Sequence, residues 1–475
     1  MSKLIDAYDW PSIHAQAMEL MDHRKHLSES ARQKYLDWFD THCAKSKEEA
    51  EKAKEVIPGG IQHNLANNHP FALAVDKASG AYLYDIDGNR YIDFLCAGGP
   101  TILGNTYPAV VEATCKQISE NNMITGLYNP YERQLAELIH KHMPAVEMFR
   151  ALGSGTESDI IALRLARAYT GKKHILRLVG GYHGWSDQLV YNAGSTSADM
   201  LNGIPMDCFQ YTHQVPVNDV PALEAAIEKY EADGGVAAFF MEPLGQDSGA
   251  VPTTKEYIKA ARELCDKHDM LLVFDEVVTG FRMSMGGAQG YFGVYPDITV
   301  FGKIVGGGFG CAGGVGGRKE LMNMLAAGVD NKTNKVKVGG TVSANPLTTL
   351  AGITVINELE KKNVHEELDK VTDYFMKGIA DISERYDVPA LIFHHRSILH
   401  IDLHGLQHIP YCVKDPAEQQ KQLLDAYQNY IEFSMALAAE GLIIANGGKT
   451  YYPYAAIDIV DDALGCYERV FKNFE

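Results

Sequence analysis

The spacing of apolar and polar positions divides this chain into three textures. Residues 1–57 are rich in Ala, Glu, Lys and His with apolar positions at helical spacing, which predicts a helical N-terminal extension ending at Pro58-Gly59-Gly60. AYLYDIDGNRYIDF (81–94) predicts a hairpin turning at Asp87-Gly88-Asn89. From about 101 to 330, the apolar runs KHILRLVG, VAAFFMEP, MLLVFDEV and DITVFGK alternate with helical patterns such as 156–169 and 254–268. That alternation predicts an α/β fold whose central sheet is mostly parallel and covered on both faces. From about 350 the texture returns to α+β. Helices are expected around 347–384 and 416–440, with strands at LHIDLH (399–404) and YYPYAA (451–456).

Composition narrows the class. A chain of 475 residues, 46% hydrophobic, can bury a substantial core and suggests two or more domains. Its formal net charge of −18, without long runs of one sign, argues against nucleic acid or an anionic membrane as partner. Eight cysteines are scattered without CxxC spacing, as expected for reduced thiols in the cytoplasm. The opening MSKLIDAYDWPSIH is acidic and broken by Pro11, unlike a signal or transit peptide, and no apolar run approaches bilayer length.

Two of the apolar runs end on charge: LLVF leads into Asp275-Glu276, and DITVFG into Lys303. Charged groups at the ends of buried strands are costly without partners, and strand ends of α/β sheets are where ligands bind. A lysine amine can form a Schiff base with an aldehyde. Pyridoxal phosphate acts as an electron sink when an acid keeps its ring nitrogen protonated. Asp275 and Lys303 suit those two roles, and a buried Asp–Lys ion pair or a solvated strand end is the alternative. GSGTES (153–158), ahead of Ile160, Ile161, Leu163, Leu165 and Ala166, adds a glycine-rich helix start able to cradle phosphate, or an ordinary Ser/Thr cap.

GSGTES, GGYHGW (180–185), MEPLGQDSG (241–249), FDEVVTGFR (274–282), PDITVFGKIVGGG (296–308) and GGTVSANP (339–346) stand in the order found in class III aminotransferases. The chain resembles that family of fold type I pyridoxal-phosphate enzymes from about residue 55 to 475. VIPGG (56–60), YLYDIDGNRYIDF, DEVVTGFR and GKIVGGG resemble the glutamate-1-semialdehyde aminomutase subgroup most.

Beyond the helical extension at 1–57, the resemblance implies a small α+β domain from 58–100 and 346–475, and a large cofactor-binding domain at 101–345. It implies a homodimer with a shared active site and a small-molecule amine as substrate. Ser154, Gly155 and Thr156 match the phosphate-binding stretch. Tyr182 matches the aromatic that stacks on the pyridine ring, with His183 and Gly184 completing its motif. Val277, two residues past Asp275 and so expected on the same strand face, matches the residue packed on the ring's other side. Glu242 matches the family's glutamate near the cofactor. Thr341 matches the threonine that reaches the phosphate from the neighbouring subunit. Gly306, Gly307 and Gly308 are expected to shape a tight turn after Lys303.

In the mechanism this implies, a substrate amine displaces Lys303, whose freed amine becomes a general base while the ring held by Asp275 stabilises the carbanion. The carbanion's fate separates transamination, aminomutase and lyase chemistry.

Two departures bear on substrate. The aminomutase subgroup follows IPGG with a carboxylate-gripping arginine, whereas here the run is IQHNLANN (61–68). The family's 2-oxoglutarate users carry an arginine near the C-terminus, where NGGKTYYPY (446–454) offers Lys449, able to hold an anion as a point charge or to sit solvated in a loop. Arg133 is a further anion contact or a helix-surface residue. The expected function is therefore an aminotransferase or aminomutase acting on another small amino compound. The alternatives are a lyase acting on an amino alcohol phosphate or phosphonate, and a catalytically idle binding protein.

Overall fold

The computed structural model describes residues 3–121, 126–190, 201–327, 335–445 and 448–475. Two compact units result, one from residues 108–362 and one from 1–107 with 363–475.

The first unit is built on seven strands: β1 (Met148–Leu152), β2 (His174–Leu178), β3 (Thr212–Val215), β4 (Val236–Met241), β5 (Leu271–Asp275), β6 (Ile298–Gly302) and β7 (Gly313–Gly317). Their spatial order is β1-β7-β6-β5-β4-β2-β3. All pairings from β6 to β3 are parallel, and β7 alone runs antiparallel, to both β6 and β1. The mostly parallel α/β sheet expected from the alternating texture is therefore present. Every residue of β4, β5 and β6 is buried, which is why these runs lack polar alternation. Helix α1 (Gly155–Thr170) lays Ile161, Ala162, Leu165 and Ala166 into the core shared with Phe240, Val273 and Val300.

Strand β7, sequence GGVGG, has no periodicity to read. Its glycines are required by close approach: a Cβ on Gly313 would lie 2.3 Å from the Ser154 carbonyl oxygen, and one on Gly316 2.3 Å from a Val146 methyl.

In the second unit the N-terminal extension forms three helices, Trp10–Asp22, Glu29–His42 and Ala44–Lys54, the first two capped by the side chains of Asp9 and Ser28. The hairpin pairs Tyr82–Asp85 with Arg90–Phe94, and its turn places Gly88 at φ 97°. Leu442–Ile444 adds to it in parallel. A separate antiparallel sheet joins Leu391–His395, Ile398–Asp402 and Lys449–Tyr451.

Two local expectations need correction. The helical pattern over 347–384 is two helices, Pro346–Lys361 and Val364–Arg385, separated at Asn363, whose φ of 54° cannot continue a helix. YYPYAA is a strand only to Tyr451. Pro453 lacks an N–H for a ladder, and Tyr454–Ile459 coils as a 3₁₀ turn. Asn446 and Gly447 of NGGKTYYPY lie outside the described residues. Among the described residues no helix is long and apolar enough to cross a membrane.

Candidate active site

The parallel strands bring the candidate residues to one edge of the sheet. Asp275 ends β5, and Val300 of the neighbouring β6 lies opposite it in register, so Lys303 leaves β6 just beyond. Glu242 follows β4, and Tyr182 and His183 lie in the loop after β2. Strand β1 runs in the same direction as β6, because β7 is antiparallel to both, and it delivers Gly153 and Ser154 to the same edge. Ligands of α/β sheets bind at this carboxyl edge.

Asp275 is buried and held from two sides. Its Oδ2 accepts a hydrogen bond from His183 Nδ1 at 2.8 Å, and its Oδ1 accepts the Val277 backbone N–H at 3.0 Å. His183 is fully buried, and that burial pushes its pKa down, which favours the neutral ring. A carboxylate partner on Nδ1 puts the ring proton there. The strand ends at Asp275, so Val277 lies in the following turn and not, as its spacing suggests, on the strand face. The turn is closed by the Asp275 side chain itself.

Val277 is pinched between two glycines. A Cβ on Gly155 would come within 2.8 Å of its Cγ2, and one on Gly302 within 2.9 Å of its Cγ1. The helix start is thereby drawn up to the end of β5. The Ser154 hydroxyl accepts from the Glu157 N–H at 3.2 Å and so acts as the helix cap, while Glu157 reaches back to the Gly153 N–H at 2.8 Å. The backbone donors of Gly155 and Thr156 occupy the first turn, at the positive end of the helix dipole.

Lys303 is half-buried and sits at φ 49°, an uncommon conformation for a residue with a side chain and one that recurs at functional sites. Gly307 and Gly308 have positive φ as a tight turn requires. Gly306 does not, and serves close packing instead: a Cβ there would lie 2.3 Å from that of Ala312.

Glu242 accepts the backbone N–H groups of Tyr182, Asp247 and Ser248 at 2.9, 3.2 and 2.8 Å. Burial, then the charge of Asp275, push its carboxyl up to about 7. Tyr182 is 61% exposed and Trp185 73% exposed. Thr341 lies in an exposed turn that passes the start of α1, where a Cβ on Gly340 would be 3.8 Å from Glu157 Oε2. Of the anion-contact candidates, Arg133 pairs with Glu137 on an exposed helix face at 2.6 Å, and the Lys449 ammonium lies 5.9 Å from the Tyr451 ring centre.

Two groups escaped the sequence reading. Asp159 on α1 and Arg177 on β2 are both buried beside Asp275 and Glu242. The signals were available: an acid one turn beyond Gly155 on an apolar helix face, and an arginine inside the apolar run HILRL. Arg177 donates to the carbonyls of Gly181 and Leu189 and so ties down the loop that carries Tyr182 and His183.

Residues 64–461 match the family model for class III aminotransferases. Glutamate-1-semialdehyde 2,1-aminomutase of Desulforamulus reducens is 39% identical over 356 residues, 73% of this chain and 80% of that protein. The enzyme of the same name from Methanosarcina acetivorans is 35% identical over 404 residues, 84% of this chain and 91% of its own. An omega-transaminase from Sphaerobacter thermophilus superposes with a TM-score of 0.79 at 26% identity, covering 90% of this chain and 97% of that one.

Proposed function

This chain belongs to the class III aminotransferase family, and we propose that Asp275 and Lys303 are the groups through which it works. It is a pyridoxal-phosphate enzyme of aminotransferase or aminomutase type with the fold type I architecture. The observation that carries the assignment is the emergence of Lys303 and a buried, doubly hydrogen-bonded Asp275 from adjacent parallel strands.

The donor set fits the cofactor. Asp275 offers a fixed acid for a ring nitrogen, and Lys303 an amine for an aldehyde. The start of α1, packed tightly enough that a Cβ on Gly155 would strike Val277, offers Gly155 and Thr156 N–H groups to a phosphate. When bound, pyridoxal phosphate supplies an electron sink beside the substrate nitrogen.

The chain's own residues do the rest. His183 and the Val277 N–H orient the Asp275 carboxylate. Lys303 would offer its amine for covalent attachment of the cofactor and as a base at the strand edge. Ser154 fixes the helix start as its cap. Glu242 anchors the backbone of Tyr182, whose exposed ring and the Val277 side chain would flank the cofactor ring. Thr341, solvent-facing in one chain, is assigned to the phosphate of a neighbouring subunit. The protein would then be a homodimer with a shared site. The exposure of Tyr182, Trp185 and Tyr128 in the single chain supports this. A cytoplasmic location accords with the scattered cysteines.

The substrate is a small amine. The absence of arginine in residues 61–68 favours one other than glutamate 1-semialdehyde. The deciding experiment offers the yellow holoenzyme a panel of amines without keto acid and follows absorbance in a single turnover. A cofactor stranded in its aminated form until keto acid is added identifies a transaminase, and an isomerised product with the cofactor restored identifies an aminomutase. Release of ammonia and an aldehyde would overturn both.

A further inference from the structure

We propose that Asp159 is a positioning residue, a third member of the buried Asp275–His183 set, which holds one proton there so that Asp275 stays charged and His183 stays neutral. The inference rests on the reading of Asp275 as the acid that faces the cofactor.

The three side chains each present an oxygen or ring nitrogen within 4.8 Å of the others, and all are buried. Two carboxylates so close in a dry pocket cannot both ionise cheaply, so one carries a proton. Hydrogen bonding decides which. Asp275 already accepts one hydrogen bond on each oxygen, from His183 Nδ1 and from the Val277 N–H. Asp159 Oδ1 has no partner among the described residues, and neither has His183 Nε2, the ring's remaining lone pair. The proton therefore belongs to Asp159.

The surroundings agree. Arg177, Glu242 and Lys303 face Asp159 along with Asp275, and Tyr182 lies close enough to sense Asp159 when it ionises. Burial and then Asp275 drive the Asp159 carboxyl well above the usual carboxylate range, against the pull of Arg177 and Lys303. A stability role alone does not account for the residue. A buried acid with an unmatched oxygen costs more than an apolar side chain of similar size on the same helix face.

The test compares wild type with Asp159→Asn, which keeps the shape and a donor but cannot ionise, and with Asp159→Val, which keeps only the volume. Nitrogen-15 spectra of the histidines are recorded on the apoprotein from about pH 5 to about pH 10, with the His183 signals identified by their loss in His183→Gln. In wild type, His183 remains neutral with its proton on Nδ1 and reports a step as Asp159 ionises. The step vanishes in Asp159→Asn while the ring's tautomer is kept, and in Asp159→Val the tautomer changes as well. Pyridoxal-phosphate affinity of the apoprotein is expected to hold in Asp159→Asn and to weaken about tenfold in Asp159→Val, the scale of a lost supporting partner.

A step that persists in Asp159→Asn would overturn the proposal, as would His183 spectra in Asp159→Val that match wild type. So would one equivalent of zinc that copurifies with wild type and is lost in Asp159→Asn, because the three side chains would then be metal ligands. If wild type failed to bind pyridoxal phosphate, the cofactor reading would fall while the histidine spectra still decided the role of Asp159.

Discussion

Gly184 lies directly against Thr156: a Cβ added to it would sit 2.5 Å from Thr156 Oγ1 and 2.8 Å from Thr156 Cα. The loop that carries Tyr182 and His183 is thus seated on the first turn of α1, at a glycine whose φ is 74°. Gly184→Ala combines that clash with a left-handed backbone. It is expected to cost about 2–3 kcal/mol in chemical denaturation and to weaken cofactor binding, measured by titrating the apoprotein. Unchanged affinity would show that the contact does not shape the cofactor site.

Lys303→Ala removes the amine at the end of β6 without touching the core beneath it. Turnover should fall by at least ~100-fold, the size expected for a lost general base, while circular dichroism and the thermal midpoint stay close to wild type. Borohydride reduction of wild type should leave the cofactor's mass on the peptide containing Lys303, and the variant should lack it. Full turnover in Lys303→Ala would refute the assignment.

Glu242 gives stability a pH dependence of known sign. Its carboxyl lies near 4.5 when unperturbed and is raised to about 7 in the fold. Between those values the native state holds a proton that the unfolded chain has lost. Stability is therefore complete below about pH 4.5 and declines as pH rises towards 7, by ~3 kcal/mol if the full shift is expressed. Urea unfolding of Glu242→Gln should lose that contribution, and an identical slope in both proteins would show that Glu242 is already ionised in the fold.

Glu276, adjacent to Asp275 in sequence, serves a different purpose. It is fully buried and accepts hydrogen bonds from Thr279 Oγ1, the N–H groups of Ala288 and Gln289, and Gln289 Nε2. Glu276→Ala strands those donors and is expected to cost about 3 kcal/mol in denaturant unfolding. A loss under ~1 kcal/mol would mean that water replaces the carboxylate.

Much of this architecture was legible in the sequence because it is written locally. The apolar runs at β2, β4, β5 and β6 and the helix after Ser154 are short-range patterns, and the order of glycine-rich motifs marks the family without any coordinates. Strand β7 was not legible, because four glycines carry no pattern and are explained only by what lies against them: the Ser154 carbonyl, Phe149, Val146 and Asp297. Ser154 shows the limit from the other side, since a hydroxyl before a helix reads equally as a phosphate donor or a cap, and here it is bonded as a cap.

The sequence by itself determined the chain's family, the strand ends on which Asp275 and Lys303 stand, and the cofactor those residues imply. Only the tertiary structure decided how the buried charges are divided. Asp275 and Glu276 are neighbours in sequence, but successive residues at a strand end point to opposite sides. One meets His183 and Asp159, the other the backbone of residues 288 and 289. Which acid keeps its charge depends on hydrogen-bond donors brought from distant segments and on the loss of water around them, and neither is encoded in local pattern.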